Sequence, residues 1–277
     1  MLSLWLTLLV RISRKCKTPG NGSHAYAGSK QWKRVRHWLG KCTCGTGFAV
    51  KGAPNVLVKE CNFDHLQGLR VRAPETSASL ELLAQEFSSW ESPYSLANMR
   101  RWVLPDGIGL DIGANLGFFS ILLAKSFPGV RVVAFEPNPT TFAFLRNNVL
   151  ANGMASQVTV RNLALTNNSR LLRFNACSSI NLGRNGAFET DMHSLPGEKC
   201  YAPFYSSVPP ELGVPSTTME RVLAEEVLGS RVSILKLDCE GCEHEVLPLL
   251  NFSRFEWITG ECHRFTHAKP TAEVRVL

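Results

Sequence analysis

The second half of the chain alternates short, mostly apolar runs with segments of helical length, beginning near Ile108. Runs that are apolar along most of their length are typical of strands buried on both faces of a parallel sheet. The predicted strands are Ile108–Ile112, Val130–Phe135, Val158–Ala164, Val232–Leu237 and Phe255–Gly260. The main predicted helices are Phe118–Phe127, Pro139–Ala151 and Cys242–Leu250. This pattern predicts an α/β fold with a doubly wound, mostly parallel sheet and helices on both faces.

Two other parts of the chain lack this rhythm. A hairpin is predicted within 55–72 and helices within 77–102, so we expect residues 55–105 to pack on the core as a small N-terminal unit. Residues 176–215 hold five of the fifteen prolines and predict an insertion or lid in the main domain, which spans 106–277. A capping box at Thr217–Glu220 predicts a short helix that runs to Leu228.

Charge is distributed unevenly. The net charge is +7, yet residues 1–59 contain eleven Lys or Arg and no Asp or Glu, which leaves 19 basic and 23 acidic residues in the remainder. The positive excess therefore lies in an N-terminal arm, residues 1–54, whose polar and glycine-rich composition predicts disorder. The body is mildly acidic and has no stripe of basic and aromatic residues, which argues against a nucleic-acid partner.

The arm begins with the nine-residue apolar run Leu2–Val10, followed by basic residues. A membrane-spanning helix needs ~20 apolar residues, so this run is too short to span. A secretory signal carries its positive charge before the apolar run, whereas here the charge follows. The order favours an organelle-targeting leader or a short anchor on a membrane surface, and this arm is where we expect any membrane contact. A protein with neither would be cytoplasmic.

The nine cysteines are odd in number and irregularly spaced, and they include a single CxxC, Cys239 to Cys242. A zinc or redox role would require a second ligand pair or a thioredoxin-like context, and neither is visible. We therefore expect Cys239 and Cys242 to be half-buried thiols that flank a turn. The odd number and irregular spacing of the cysteines favour a reducing compartment.

The sharpest motif is D-x-G-x-N-x-G at residues 111–117, where a strand turns into a helix. A dinucleotide fingerprint requires Gly two and five residues after the first Gly, whereas Asn115 and Phe118 occupy those positions here. The carboxylate of Asp111 would repel a pyrophosphate and attract an amino group. The motif therefore favours S-adenosylmethionine over a dinucleotide.

Acidic residues follow three of the predicted strands. Glu136 ends the second strand, 23 residues after Gly113, where an acid accepts the ribose hydroxyls of a nucleotide cofactor. The carboxyl edge of a parallel sheet faces the ligand crevice. The candidates there for proton transfer to or from the substrate are Asp238, Glu240, Glu261 and His263. A structural histidine remains an alternative for His263, and no metal site is predicted because a third oxygen ligand would have to converge with these.

Four motifs occur together in one order: 111–120 (DIGANLGFFS), 134–138 (AFEPN), 146–148 (RNN) and 235–243 (LKLDCEGCE), followed by Val246 and Leu247. In this order they resemble the FkbM family of methyltransferases, from about Asp106 to His263. The resemblance implies a class I, Rossmann-like methyltransferase fold and S-adenosylmethionine as methyl donor. It also implies a hydroxyl acceptor on a sugar, a polyketide or another small molecule.

Matched by position, the resemblance implies a role for each motif residue. The residues implied to bind the cofactor, from its methionine end to its adenine, are Asp111, Gly113, Ala114, Asn115, Gly117, Glu136, Asn138, Ala164 and Leu165. Asp238 and Glu240 are implied to face the transferring methyl group and the acceptor.

Two features depart from the family pattern. A class I methyltransferase has two more strands after the fifth, and only 14 residues follow His263, so we expect the last two strands to be missing. Either the chain is a truncated product, or an N-terminal segment such as the 55–72 hairpin covers that sheet edge. The 176–215 segment has no counterpart in the motifs. Two other functions therefore stay open: a nucleic-acid methyltransferase guided by the basic arm, and a non-catalytic cofactor-binding or scaffold protein.

Overall fold

The computed structural model describes residues 11–12, 42–53, 56–75, 80–89, 92–174, 187–188, 214–239 and 241–261. Most of the arm, most of 176–215, Glu240 and His263 lie outside these described residues. The strands, in chain order, are β1 (Arg11–Ile12), β2 (Cys42–Phe48), β3 (Val58–Phe63), β4 (Leu69–Pro74), β5 (Ile108–Ile112), β6 (Arg131–Phe135), β7 (Val158–Arg161), β8 (Ala164–Leu165), β9 (Leu171–Phe174), β10 (Ala187–Phe188), β11 (Val214–Thr217), β12 (Val232–Leu237) and β13 (Phe255–Gly260).

Six strands form the central sheet in the order β1-β13-β12-β5-β6-β7, and all neighbouring pairs are parallel. The inner strands β5 and β12 are buried along their whole length, as expected for strands covered on both faces. The five predicted strands are therefore confirmed, although the third ends at Arg161 rather than at Ala164. The doubly wound α/β fold follows from this sheet and from the helices on its two faces.

Helices connect and cover these strands. They are α1 (Leu80–Ser88), α2 (Leu96–Met99), α3 (Phe118–Ser126), α4 (Pro139–Ala151), α5 (Met219–Val222) and α6 (Glu243–Val246). α5 continues as a π-helical turn at Leu223–Val227 and α6 as a 3-10 turn at Leu247–Leu249, and further 3-10 turns span Asp64–Leu66, Arg100–Trp102 and Phe252–Arg254. In the described ranges no helix has both the length and the apolar character that crossing a membrane requires.

Two apolar clusters lie on opposite faces of the sheet. Ile234 belongs to the cluster that contains α3 and α4, whereas its neighbour Leu235 belongs to the cluster that contains α5 and α6. Successive side chains of a strand point to opposite faces, so β12 contributes to both clusters. The sheet is thus the middle layer of three.

An N-terminal segment covers the edge of the sheet beyond β13, as one alternative predicts, but this segment is not the 55–72 hairpin. In a separate antiparallel sheet β3 pairs with β2 on one side and with β4 on the other, and the buried side chains of this sheet join the cluster of α3 and α4. Instead β1 pairs with Thr259 and Gly260. The reason is physical, because the hairpin must bury an apolar face while the exposed edge of β13 needs a backbone partner. The arm also contributes β2, so the N-terminal unit begins before residue 55.

A third sheet frames the 176–215 segment. Its order is β10-β9-β11-β8, so after β9 the chain contributes β10 from within the segment and then β11 at the end of the segment. Ala164 and Leu165, predicted to end the third strand of the central sheet, instead form β8 in this sheet. The segment is therefore held at both ends by paired strands.

Candidate active site

A cleft of about 200 Å³ opens at the carboxyl ends of β5, β6, β12 and β13. Its lining comes from the central sheet, from α3 and from the N-terminal unit. The lining residues are Leu83, Glu86, Phe87, Tyr94, Gly113, Ala114, Asn115, Leu116, Phe118, Phe119, Glu136, Pro137, Lys236, Asp238, Cys239 and Glu261. Four of these carry carboxyl groups and one carries an ammonium group, so the cleft favours a positively charged ligand.

The glycine turn after β5 is built from backbone contacts. The N–H groups of Gly113 and Ala114 both donate to the carbonyl of Phe135, at 3.0 and 2.9 Å. Gly113 has φ +79°, and a Cβ at this position would lie 1.9 Å from the carbonyl oxygen of Asp238. Only glycine fits here, because both the left-handed conformation and the close backbone approach exclude a side chain.

Asn115 occupies the next part of this turn with φ +51°. Its backbone N–H donates to Glu136 Oε2 at 2.9 Å, which ties the turn to the end of β6. Its side-chain oxygen is buried and has no hydrogen-bond partner among the described residues. Since buried polar atoms are normally paired, this oxygen is available to a donor on a ligand.

Glu136 follows β6 and lines the cleft beside the glycine turn. Its carboxylate accepts the N–H groups of Asn115 and Asn138, both at 2.9 Å. Burial raises the pKa of Glu136 from 4.5 to about 7, although these two N–H groups oppose the shift. Burial therefore makes the ionised form costly until a ligand supplies further donors.

A buried ion pair joins β5 to β12. Lys236 lies opposite Asp111 in the parallel register, and its Nζ is 3.2 Å from Asp111 Oδ1 and 2.6 Å from the carbonyl of Gly113. Asp111 also accepts the hydroxyl of Ser120 at 2.6 Å. Burial alone would lower the pKa of Lys236, but attraction to Asp111 and Asp238 outweighs it and raises that pKa above its ordinary value. Lys236 thus ties β12 to Asp111 in β5 and to the carbonyl of the glycine turn.

Asp238 follows β12 and carries the carboxylate nearest to this pair on the cleft wall. Its backbone N–H donates to the carbonyl of Ile112 at 3.1 Å, and its Oδ2 accepts the hydroxyl of Tyr94 at 2.6 Å. Lys236 Nζ is 3.7 Å from the same oxygen. Burial, and then the charge of Asp238, raise the pKa of Tyr94 well above its ordinary value, so the phenol is a hydrogen-bond donor here.

The two cysteines in the turn after Asp238 are not free thiols, contrary to the expectation. Cys239 and Cys242 are joined by a disulfide, with their Cα atoms 5.5 Å apart. The buried carboxylate of Glu243 accepts the N–H groups of Cys239 at 2.8 Å and Gly241 at 2.7 Å, and this turn brings the two cysteines within bonding range. Cys61 in β3 is disulfide-bonded as well. Half-buried cysteines do flank the turn as predicted, but these two are oxidised.

An aromatic cluster forms the side of the cleft toward the N-terminal unit. The ring of Phe87 stacks on Tyr94 at 5.2 Å and on Phe118 at 5.5 Å between centroids. Tyr94 meets Phe119 edge-on at 6.3 Å. The residues before β5 thus complete a cleft whose other walls belong to the central sheet.

The structure brings six of the predicted site residues to the cleft: Gly113, Ala114, Asn115, Glu136, Asp238 and Glu261. The other described ones lie behind the lining. Asp111 is fully buried against Lys236, and Gly117 packs its Cα side against Leu145. Asn138 caps α4, and Ala164 and Leu165 lie buried in the third sheet. Glu240 and His263 lie outside the described residues, and the assigned cofactor and catalytic roles stay predictions.

Sequence reasoning missed the contributions of Lys236, Phe87 and Tyr94. A lysine inside an otherwise apolar strand needs a buried partner, so Lys236 was detectable from its position beside the acid of β5. Phe87 and Tyr94 belong to no motif, and they lie 26 and 19 residues before Gly113, so the sequence does not indicate that they line the cleft.

With this geometry in view, the comparisons with known proteins are informative. The sequence profile described as "Methyltransferase FkbM domain" matches residues 111–276, more than half of the chain. The chain belongs to the FkbM methyltransferase family. The match begins at Asp111 and therefore leaves Phe87 and Tyr94 outside the family domain.

Three proteins similar to this chain carry the name methyltransferase. Methyltransferase sdnD of Sordaria araneosa is 24% identical over 163 residues, covering 54% of this chain and 62% of that protein. Methyltransferase 1 of Beauveria bassiana is 29% identical over 155 residues, covering 55% and 62%. The 31-O-demethyl-FK506 methyltransferase FkbM of Streptomyces tacrolimicus is 43% identical over 54 residues, covering 20% and 21%. The chain thus spans less than two thirds of the length of these relatives.

S-adenosylmethionine is the cofactor of FkbM methyltransferases, and the cleft fits it. The buried oxygen of Asn115 would accept the amino group of its methionine part. The carboxylate of Glu136 would accept its ribose hydroxyls, and Gly113, which lines the cleft, lets the backbone of Asp238 approach the glycine turn closely. The excess of carboxylates suits a positively charged sulfonium.

Proposed function

We propose that this FkbM-family protein transfers a methyl group from S-adenosylmethionine to a hydroxyl oxygen of a small molecule or glycan. The observation that supports it best is the position of Asp238. This carboxylate lines the same cleft as the glycine turn and Glu136, and it is the acid that the aromatic cluster contacts. A base and a cofactor site on adjoining walls are what an alkyl transfer to oxygen requires.

The cofactor side consists of the glycine turn and the end of β6. Asn115 and Glu136 present acceptor oxygens, and the carbonyl of Gly113 is already engaged by Lys236. Bound S-adenosylmethionine supplies an electrophilic methyl group on a positively charged sulfur. The glycine turn and Glu136 orient it and exclude water, and positioning of this kind supplies ~7–11 kcal/mol of a reaction barrier.

The acceptor side is expected beside Asp238. A hydroxyl must lose its proton as the new O–C bond forms, and a carboxylate within hydrogen-bond reach assists that loss by ~10²–10⁴-fold. In this proposal Asp238 receives the proton, and Glu261, which lines the cleft after β13, is its neighbour on the acceptor side. The name of the FkbM relative from Streptomyces tacrolimicus describes methylation at an oxygen, which agrees with a hydroxyl acceptor.

The test has a binding arm and a transfer arm. Calorimetry measures S-adenosylmethionine binding to the full chain, and transfer of a labelled methyl group is measured against methyl glycosides, 4-nitrocatechol and an RNA oligonucleotide. We expect binding, transfer to a glycoside or phenol, and a ~10²–10⁴-fold lower rate in Asp238→Asn with the cofactor affinity retained. Glu225→Gln, which alters an exposed ion pair with Arg221, is the control and keeps the wild-type rate.

Each other outcome contradicts a defined part of the proposal. Absence of cofactor binding indicates a non-catalytic protein. Transfer to RNA alone, lost when residues 1–54 are deleted, indicates the nucleic-acid alternative. A wild-type rate in Asp238→Asn removes Asp238 as the base.

A further inference from the structure

Tyr94 lies between α1 and α2, outside the residues that match the FkbM family. Its side chain is 1% exposed, yet it lines the cleft, and its hydroxyl donates to Asp238 Oδ2 at 2.6 Å. A buried phenol on a carboxylate forms a charge-assisted hydrogen bond, which is stronger than a neutral one. Tyr94 is thus the link between the N-terminal unit and the carboxylate at the end of β12.

Several contacts hold Tyr94 in this place. Its backbone N–H donates to Ser92 Oγ at 3.0 Å, and the carbonyl of Pro93 accepts the hydroxyl of Thr259 in β13. The ring of Phe87 stacks on one side. These contacts fix the ring before any ligand binds, which is the condition for orienting a second side chain.

We propose that Tyr94 is a positioning residue for methyl transfer: its hydroxyl holds Asp238 Oδ2 and keeps that carboxylate facing the cleft in one orientation. The inference rests on the proposed function, in which Asp238 receives the acceptor proton. It implies that the N-terminal unit is part of the catalytic machinery rather than a cover for the core.

The contacts of Asp238 show why its carboxylate needs a group that selects one orientation. Lys236 Nζ, 3.7 Å from Oδ2, is shared with Asp111 and the carbonyl of Gly113, so it does not by itself select one orientation of Asp238. The phenol makes a directed bond to one oxygen. Misplacement of a reacting group by about 1 Å costs ~10²-fold in rate, so a single directed bond has a large kinetic effect.

The kinetic test is a double-mutant cycle with the best acceptor among methyl glycosides and 4-nitrocatechol. Tyr94→Phe keeps the ring and its stacking, and we expect kcat to fall ~10- to 100-fold with the KM for S-adenosylmethionine changed less than about threefold. In an Asp238→Asn background we expect Tyr94→Phe to change kcat less than about twofold, since its effect passes through the carboxylate. A loss of equal size in both backgrounds overturns the positioning role.

Thr166→Val is the matched structural control. It also deletes a buried hydroxyl, one that donates to Asn168 and lies next to Ser216 in the third sheet, away from the cleft. We expect its kcat to equal that of the wild type. If Thr166→Val and Tyr94→Phe lower kcat alike, the effect of Tyr94 is one of general stability and the proposal fails.

A second readout needs no acceptor. The difference in ultraviolet absorbance between the wild type and Tyr94→Phe during alkaline titration isolates this one phenol. Burial, Asp238, Glu261 and Glu86 all raise the pKa of Tyr94, so Asp238→Asn should move the phenol titration to lower pH. An unmoved titration overturns the coupling of Tyr94 to Asp238. Absence of methyl transfer by the wild type contradicts the proposed function instead, so the two failures are distinguishable.

Discussion

Two walls of the same cleft are held by different contacts. One is the glycine turn at 113–116. The other, which we call the aromatic wall, consists of Leu83, Glu86, Phe87 and Tyr94. The glycine turn is fixed by backbone hydrogen bonds to Phe135 and by one buried lysine. The aromatic wall is held by stacked rings and by hydrogen bonds of Tyr94, one of which runs from its hydroxyl to Asp238.

This difference has a consequence for tolerance to substitution. A wall of backbone groups depends on residues that leave space, and a small added group disrupts it. A wall of side chains tolerates changes of similar volume, so its composition can vary without loss of the fold. Under the proposed function, the glycine turn would hold the cofactor, which does not vary, and the aromatic wall would vary with the acceptor.

The largest effect is expected from the ion pair under the glycine turn. Lys236→Met leaves the carboxylate of Asp111 buried without its cation, and breaking a buried pair in this way costs ~3–5 kcal/mol in the free energy of unfolding. Urea denaturation measures the loss. Lys125→Met, at a partly exposed lysine that bonds the carbonyl of Gln67, is the control with an expected loss of about 1 kcal/mol or less. Equal losses of unfolding free energy in Lys236→Met and Lys125→Met would mean that the Asp111–Lys236 pair does not support the glycine turn.

A smaller effect is expected from the turn itself. Gly113→Ala combines a left-handed conformation with a Cβ 1.9 Å from a carbonyl oxygen, and we expect about 3 kcal/mol of destabilisation together with loss of S-adenosylmethionine binding. Gly153→Ala has a similar φ, +71°, and nothing within 4 Å of the added Cβ, so about 1 kcal/mol is expected there. Thermal unfolding and calorimetry compare the two. A Gly113→Ala protein that binds normally contradicts the close-approach explanation.

The smallest effect is a pH dependence at Glu136. Because burial raises its pKa from 4.5 to about 7, the ligand-free folded protein retains a proton that the unfolded chain releases, so this group's contribution to stability falls as pH rises through that window. Ribose hydroxyls favour the ionised form, so affinity for S-adenosylmethionine should rise about tenfold between pH 6 and 8. Calorimetry at both pH values measures it. Glu136→Gln should remove this dependence, and a dependence that persists in this variant assigns it to another group.

Much of the sheet around the glycine turn was predictable from the sequence. The bounds of β5, β12 and β13 agree with the apolar runs, and α4 begins at Pro139 after its Asn138 cap. These features depend on residues near one another in the chain, where burial pattern and capping chemistry act directly. The placement of Asn115 and Glu136 at the cleft follows from the same local rules.

Two of the expectations that failed concern contacts between distant segments, whereas the expectation of free thiols failed within the turn from Cys239 to Cys242. The 55–72 hairpin packs against the helices rather than on the edge of β13, and β1 takes that edge. Ala164 and Leu165 leave the central sheet because β11 pairs with them. Which strand pairs with a sheet edge depends on competition between segments that lie far apart in the chain. The amino-acid sequence does not show directly which segment wins that competition.

The sequence by itself determined the family motifs, the order of strands and helices and the carboxylates at the carboxyl edge of the sheet, because each follows from short-range periodicity and turn chemistry. Only the tertiary structure decided that Asp111 is buried against Lys236, that Cys239 and Cys242 are bonded, and that Tyr94 reaches Asp238 across 144 positions of the chain. The contacts of Asp111 with Lys236 and of Tyr94 with Asp238 join segments far apart in the chain, so the whole fold and not the neighbours in sequence sets the partner of each side chain. The disulfide depends on the geometry of the turn that Glu243 holds, which the spacing of the two cysteines does not by itself show.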